Sequence, residues 1–135
     1  MVKSAQLGKQ IVVTVANKIG ILADMSKMVA DHGINIEAVV GYAANNEAKV
    51  MLVTADNLRV TDALKKAGYN AIKEEEVLIV ELENTAGALK NITAELVAQG
   101  IDIKQVYGTA CVAGCPAKII LSTSNNDKAL VALKK

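Results

Sequence analysis

The sequence lacks phenylalanine and tryptophan, and tyrosine occurs only three times. Basic and acidic residues are interspersed along the chain and nearly cancel, so the formal net charge is only +1. A protein that binds a phosphate backbone normally carries a basic patch, and one that binds unstacked bases normally exposes aromatic rings. The composition therefore disfavours nucleic-acid binding, and it requires an aliphatic core.

Long apolar runs are also missing. No stretch approaches the roughly 18 apolar residues that can span a bilayer, and the first four residues do not begin a secretory apolar block. We therefore expect a cytoplasmic protein that has no membrane partner.

Recognisable catalytic and metal-binding motifs are absent. The sequence contains no nucleophile elbow, no phosphate-binding loop and no zinc motif. Cys111 and Cys115 cannot complete a tetrahedral metal site by themselves, and their spacing is not that of a CxxC motif. Gly114 and Pro116 predict a loop there, so the two residues are interpreted as plain buried or loop cysteines, with a redox pair or a shared metal as alternatives. We expect no catalysis, no cofactor and no metal, and we expect His32 to have a structural role near a helix C-terminus.

What the sequence does contain is one motif that occurs twice. Residues 17–22 read N-K-I-G-I-L and residues 84–89 read N-T-A-G-A-L, while G-I-N-I at 33–36 is matched by G-I-D-I at 100–103. The offset is 67 residues in both cases (84 − 17 and 100 − 33). It becomes 69 in the last helix (132 − 63), which places two extra residues in the turn at 111–116 of the second copy. Insertions are tolerated in loop tips, so this difference supports the alignment.

Each copy predicts the same order of elements. β-Branched residues predict first strands at 10–15 and 77–82, and apolar residues at helical spacing predict helices that follow Gly20 and Gly87. Asn17 and Asn84 are predicted to be turn or capping residues before those helices. Two further strands and a second helix follow in each copy, at 35–42, 48–53 and 56–64 and at 102–109, 117–122 and 126–133. The first copy adds a last strand at 69–74.

This order predicts an α+β protein with two ferredoxin-like βαββαβ plaits in tandem, residues 10–76 and 77–135, the second lacking its last strand. The glutamates at 74–76 are predicted to be a solvated segment between strands. The edge of strand 77–82 would be exposed, so we expect residues 2–7, the last strand of the first copy or another subunit to cover it. We expect the two small sheets to pack against each other and the uncovered sheet faces to favour a homodimer.

The combination of a strand, Asn-x-x-Gly-x-Leu, an apolar helix, Gly-Ile-Asn-Ile and a strand resembles the ACT domain, a small-molecule-sensing module of amino-acid metabolism. The resemblance covers nearly the whole chain, twice. It implies a stand-alone tandem ACT protein whose domains pair side by side and bind amino acids between them. The loop after the first strand and the residue that opens the second strand would line the pocket. The ligand-binding residues that it implies are Asn17, Lys18, Ile19, Gly20, Ile21, Leu22 and Asn35 in the first copy and Asn84, Thr85, Ala86, Gly87, Ala88, Leu89 and Asp102 in the second.

Two departures from the family pattern predict that the two sites differ. Ile19 and Ala86 stand where the family usually has proline, which makes the loops less rigid. Asp102 stands where the first copy has Asn35, and a carboxylate there would favour a cationic group. If only one site binds a ligand, we expect it to be built around Asn17 and Asn35.

The physical properties of the loops agree with this interpretation. The first N–H groups of a helix lack intrahelical partners and can bind an α-carboxylate, although the same loops could be ordinary strand–turn–helix connections. The leading hypothesis is a regulatory protein that binds an amino-acid effector and acts through its oligomeric state or on a metabolic enzyme or regulator. The alternatives are an assembly subunit that has lost ligand binding and a small enzyme on the same fold.

Overall fold

The structure is a computed structural model that describes residues 2–110 and 115–134. No helix in this described part of the chain is long and apolar enough to cross a membrane. The elements in chain order are β1 (Val2–Ala16), α1 (Ile21–Asp31), β2 (Ile36–Ala44), β3 (Glu47–Thr54), α2 (Asn57–Lys66), β4 (Ile72–Leu82), α3 (Ala88–Ala98), β5 (Ile103–Thr109), β6 (Ala117–Thr123) and α4 (Asn126–Leu133).

The chain divides into two compact units. The first unit is the continuous segment Lys9–Glu75. The second unit comprises, among the described residues, 2–8 together with 76–110 and 115–134. The second unit is therefore assembled from two segments that flank the first unit in the sequence.

The first unit is a four-stranded sheet with two helices on one face. Its strands lie in the order β2-β3-β1-β4, and β3 is antiparallel to both β1 and β2. Asn45, at a φ of 58°, makes the tight turn between β2 and β3, as the sequence predicted. Alternate strand residues point to one face, where they meet the apolar faces of α1 and α2. This core contains Ile11, Val13, Met25, Val50, Leu52 and Leu64.

The second unit repeats this architecture with a last strand from the beginning of the chain. Its strand order is β1-β4-β6-β5, in which residues 2–8 of β1 take the outer position beside β4. Ala5 is buried in the same core as Leu78, Leu96 and Leu121, and Val2 packs against that core. The prediction of two ferredoxin-like plaits is confirmed, and so is the cover of strand 77–82 by the N-terminal residues.

The three glutamates at 74–76 are not a segment between strands, so that prediction is wrong. They lie within the single strand β4, because no glycine, proline or asparagine interrupts the sequence from residue 72 to residue 82. Glu75 is also anchored in the first unit. Its Oε1 accepts a hydrogen bond of 3.1 Å from Nε2 of the fully buried Gln10, and its Oε2 lies 3.2 Å from Lys73 Nζ.

His32 lies at the C-terminal cap of α1, as the sequence predicted. Its Nδ1 lies 2.8 Å from the Met28 carbonyl oxygen, which fits an N–H at that ring position donating to one of the last carbonyl groups of the helix. The carbonyl oxygen of His32 accepts a 3.0 Å hydrogen bond from Arg59 Nη2. His32 therefore joins the end of α1 to the start of α2.

Candidate functional site

The helices α1 and α3 both begin after a glycine in the left-handed region. Gly20 has a φ of 95° and Gly87 a φ of 87°, and neither helix has a side-chain capping hydrogen bond. A side chain at these positions would be strained, which explains the repeated glycine. Asn17 and Asn84 are therefore loop residues and do not cap the helices.

The helices α2 and α4 begin differently. Asp56 caps α2 by accepting a 3.2 Å hydrogen bond from the backbone N–H of Arg59, and Asn125 caps α4 by accepting one of 3.1 Å from that of Lys128. The first N–H groups of α1 and α3 have no such side-chain acceptor at the cap. These two helix ends thus combine a partial positive charge with N–H groups that can donate to a ligand.

A cavity of about 340 Å³ lies beside the N-terminus of α1, and we call it the first-unit cavity. It is bounded by the loop that follows β1, by the end of β2 and by the start of β3. Its lining residues are Asn17, Lys18, Gly20, Ile21, Leu22, Gly41, Tyr42, Ala43, Ala48, Lys49 and Val50. The backbone N–H of Asn17 donates to the Asn46 carbonyl oxygen at 2.8 Å, which holds the loop against the β2–β3 turn.

The charge of the first-unit cavity is positive. Lys18 and Lys49 are its ionisable basic side chains, the N-terminus of α1 adds a partial positive charge, and its described lining contains no carboxylate. Tyr42 and Leu22 supply apolar surface and are each 50% exposed. This arrangement suits an anionic group bound at the helix end beside an apolar wall.

The first unit brings together most, but not all, of the predicted ligand-binding residues. Asn17, Lys18, Gly20, Ile21 and Leu22 line the cavity, whereas the side chain of Ile19 is fully exposed. Asn35 lies elsewhere.

Asn35 lies at the opposite end of β2 from the cavity. Its carbonyl oxygen accepts a 3.1 Å hydrogen bond from the N–H of Ala55, near the C-terminal end of β3. Gly41 is six residues further along the chain, a distance of about 20 Å along the strand. The reason is topological: β1 and β2 are both antiparallel to β3, so the end of β1 and the start of β2 lie at opposite ends of the sheet. The expectation of one site built around Asn17 and Asn35 therefore does not hold within a single unit.

The corresponding loop of the second unit forms a different, smaller cavity. Asn84 and Thr85 line a space of about 190 Å³ with Lys3, Glu83, Cys115 and Pro116. Ala86, Gly87 and Leu89 are exposed, and Ala88 is buried.

Asp102 is again at the far end of its unit, where its backbone N–H donates to Ser124 Oγ at 3.0 Å. It does not meet Asn84, for the same topological reason as in the first unit.

The two cysteines were predicted to lie in a loop. Cys115 is disulfide-bonded, so its interpretation as a plain cysteine is wrong. Cys111, with the rest of the turn at 111–114, lies outside the described residues. The cytoplasm is a reducing compartment, and disulfides are unusual there. The disulfide therefore does not support the expected cytoplasmic location, which stays a prediction.

Sequence reasoning missed Gly41, Tyr42 and Lys49 as cavity residues. The predicted hairpin could have indicated Tyr42 and Lys49. These two residues are directly opposite each other in the β2–β3 hairpin, and Lys49 is also opposite Thr14 near the end of β1. Any side chain near this hairpin turn must lie close to the loop that follows β1. Burial raises the pKa of Tyr107 to about 12, and this side chain lines neither loop cavity.

Several solved structures share this fold. Protein BT0572 from Bacteroides thetaiotaomicron superimposes with a TM-score of 0.88 at 25% identity, over 96% of this chain and 88% of that one. The ligand-free regulatory subunit of aspartate kinase from Thermus thermophilus gives a TM-score of 0.69 at 14% identity, over 98% and 96%. A structure of aspartokinase alpha and beta subunits gives 0.67 at 17% identity, also over 98% and 96%. No protein-family model matches the chain, and no curated protein sequence does.

These fold matches agree with the duplicated strand–loop–helix motif. The chain has the fold of these proteins, two ferredoxin-like plaits in tandem, which is the fold that the ACT resemblance implies. Its two units share a backbone plan, and they differ in the residues around their loops. The first unit has the larger and more cationic loop cavity, and the second unit has a smaller one that includes Glu83.

Proposed function

We propose that this chain is a tandem ACT protein, a non-catalytic regulatory protein that binds an amino acid in the first-unit cavity. The observation that carries the proposal is the cavity of about 340 Å³ at an uncapped helix N-terminus, flanked by Lys18 and Lys49. The described lining of this cavity includes no carboxylate, cysteine or histidine that could serve as a general base or nucleophile. Binding and signalling therefore fit the residues better than catalysis does.

The α-carboxylate of the ligand is expected to bind at the start of α1. Backbone N–H groups there have no side-chain acceptor, and Gly20 carries no Cβ that would keep a ligand away from the backbone. Lys49 adds a charge-assisted hydrogen bond, worth roughly 1.5–3 kcal/mol. Asn17 has an amide that both donates and accepts, so we expect it to bind the α-ammonium group.

The size and the apolar wall of the cavity suit an amino acid. Small-molecule sites commonly occupy roughly 300–1,000 Å³, and this cavity lies near the lower limit. Leu22 and Tyr42 would contact the ligand side chain. Two or three charge-assisted hydrogen bonds would give micromolar to millimolar affinity, about −8 to −4 kcal/mol, which suits a metabolite sensor.

A second copy of the chain would complete this site. The fully exposed Ile19 and the half-exposed Leu22 and Tyr42 form an apolar rim around the cavity, and such surfaces often mark interfaces. Asn35 lies about 20 Å along β2 from Gly41, at the end of the strand away from Asn17, so one ligand can contact both asparagines only if they belong to different ACT domains. A homodimer in which Asn35 of a second copy meets the first-unit cavity satisfies this requirement.

The test is a thermal-shift screen of the twenty amino acids, followed by calorimetric titration of the best ligand. Binding to the native state raises Tm. Replacement of the lysine charge in Lys49→Gln should weaken binding by at least about tenfold. Lys118→Gln is the matched control, since Lys118 occupies the same strand position in the second unit, and it should bind normally. If no amino acid raises Tm at millimolar concentration, or if both variants lose affinity equally, the proposed site is wrong.

The competing function is an assembly subunit that has lost ligand binding. The apolar rim favours it as much as it favours a ligand-linked dimer, because half-exposed Leu22 and Tyr42 can simply be covered by a partner. Light scattering distinguishes the two. A sensor changes its association constant when the amino acid is added, since a ligand shifts an equilibrium by its differential affinity for the two states. An assembly subunit stays in one oligomeric state throughout.

A further inference from the structure

We propose that the second unit has a separate binding site for a small aliphatic amine, between α3, α4 and the start of β1. A cavity of about 230 Å³ lies there, and it belongs to neither of the loop cavities described above. Its apolar lining consists of Val2, Ala88, Ile92, Ala132 and Leu133. Asn91 and Glu95 are its polar residues.

The repeat explains why this cavity exists in the second unit. At the offset of 67 residues, Ala88 corresponds to Ile21, and Glu95 corresponds to Met28. Ile21 is part of the first-unit core and Met28 packs against that core. The second unit has three fewer carbon atoms at the first of these positions and a polar group at the second. Two large apolar side chains that fill the first unit are therefore replaced by space and a carboxylate.

The polar residues of this cavity select the charge of the ligand. Asn91 and Glu95 are four residues apart on α3, so they lie on the same face of the helix. Glu95 is half-buried, and its carboxylate forms no salt bridge in the part of the chain that the structure describes. A partly buried carboxylate without a cation disfavours an anionic ligand and favours an ammonium group. The Asn91 amide oxygen can accept a second hydrogen bond from the same group.

The apolar residues of the cavity select the rest of the ligand. Ile92 and Leu133 are almost completely buried, and Val2 packs against the same core. A short branched alkyl chain would replace water against these side chains, and each buried methylene group favours binding. The ligand class is thus a primary amine with a compact aliphatic group. This site prefers a cation, whereas the first-unit cavity prefers a carboxylate, so the proposal goes beyond the amino-acid site and does not depend on it.

The experiment titrates the whole chain with 3-methylbutylamine and follows the methyl NMR signals of Val2, Ile92 and Leu133. We expect these signals to shift at millimolar amine, and we expect 3-methylbutanoate and 3-methylbutan-1-ol to bind at least about tenfold more weakly because neither has an ammonium group. Glu95→Gln should weaken amine binding by roughly tenfold to a hundredfold. Glu37→Gln, which neutralises an exposed carboxylate of the first unit, is the control and should bind normally.

Two variants that restore the residues of the first unit complete the test. Ala88→Ile fills the cavity and should abolish the methyl shifts, while Glu95→Met removes the carboxylate and adds apolar volume. Circular dichroism checks that each variant is folded. One folded variant is sufficient to test whether the amine binds in this cavity. Unchanged amine affinity in a folded variant, or an absence of methyl shifts in the unmodified chain, would overturn the proposal. Neither result would affect the Lys49→Gln test of the amino-acid site.

Discussion

The two units have almost the same side-chain hydrogen bonds at the start of their second helices and quite different surroundings at the start of their first helices. Asn57 accepts hydrogen bonds from the backbone N–H and the hydroxyl of Thr54, and Asn126 accepts the same pair from Thr123, at 3.1 and 2.7 Å in one unit and 3.0 and 2.7 Å in the other. The loop cavities, in contrast, differ in size and charge. Repeated backbone-determining residues thus specify the fold, and the neighbouring side chains specify what each loop can bind.

The largest effect is expected from a charge in the core that the N-terminal strand completes. Ala5→Asp would bury an unpaired carboxylate among Leu78 and Val80, and it should lower the free energy of unfolding by about 3–5 kcal/mol. Hydrogen exchange should show lost protection across residues 77–82. This measurement tests whether the second unit, unlike the first, depends on a strand from a distant part of the chain.

Gln6→Asp is the control for that substitution, because Gln6 is the exposed neighbour of Ala5. It should change the free energy of unfolding by no more than about 0.5 kcal/mol. If the protection of residues 77–82 survives Ala5→Asp, then residues 2–8 do not complete the sheet in solution.

An intermediate effect is expected at a pair of corresponding glycines in the edge strands. A Cβ on Gly108 would clash with Ile119 Cδ1 and lie 2.9 Å from the Lys118 carbonyl oxygen, whereas one on Gly41 would have its nearest neighbours at 3.8 Å. Gly108→Ala should therefore cost about 1–3 kcal/mol, since a backbone group must move. Gly41→Ala should stay within about 0.5 kcal/mol. Urea denaturation of the two variants gives both numbers, and equal values would contradict the difference between the two hairpins.

The smallest effect concerns the two kinds of helix start. Asp56→Ala removes the side-chain cap of α2 and should cost about 1 kcal/mol. Asn17→Ala removes no helix cap, because α1 begins at Gly20 without one, and it should cost less than about 0.5 kcal/mol. Thermal denaturation compares the two variants directly. An Asn17→Ala variant that is as unstable as Asp56→Ala would show that Asn17 has a structural role and would weaken its assignment to ligand binding.

Much of the fold could be predicted because the decisive residues act locally. Gly20 and Gly87 adopt positive φ values at helix starts, and Asn45 does so in a two-residue turn. Each of these residues permits a backbone conformation that few others tolerate. Their repetition at a constant offset therefore predicted two copies of one plait.

The remaining features depend on contacts between distant residues. The spacing of Val2, Ala5 and Leu7 has no clear strand period. The sequence alone therefore could not show whether these residues, the last strand of the first copy or another subunit covers strand 77–82. The charges at residues 74–76 suggested a solvated segment between strands. Successive side chains of a strand point to opposite faces of the sheet, however, so a run of glutamates can also lie within a strand.

The separation of Asn17 from Asn35 was, in contrast, derivable from the predicted fold. Two parallel strands joined by a helix have the end of one and the start of the next at opposite ends of the sheet.

The insertion of residues 9–75 between the two segments of the second unit determines how the molecule responds to mechanical force. A pull applied at residues 2 and 134 acts on two positions of the same unit. The first unit enters and leaves the chain between residues 8 and 76, so it carries no tension while the second unit is intact. Under load the second unit opens first and the first unit extends only afterwards. The amino-acid site proposed in the first unit would thus be protected from tension that is applied at those two residues.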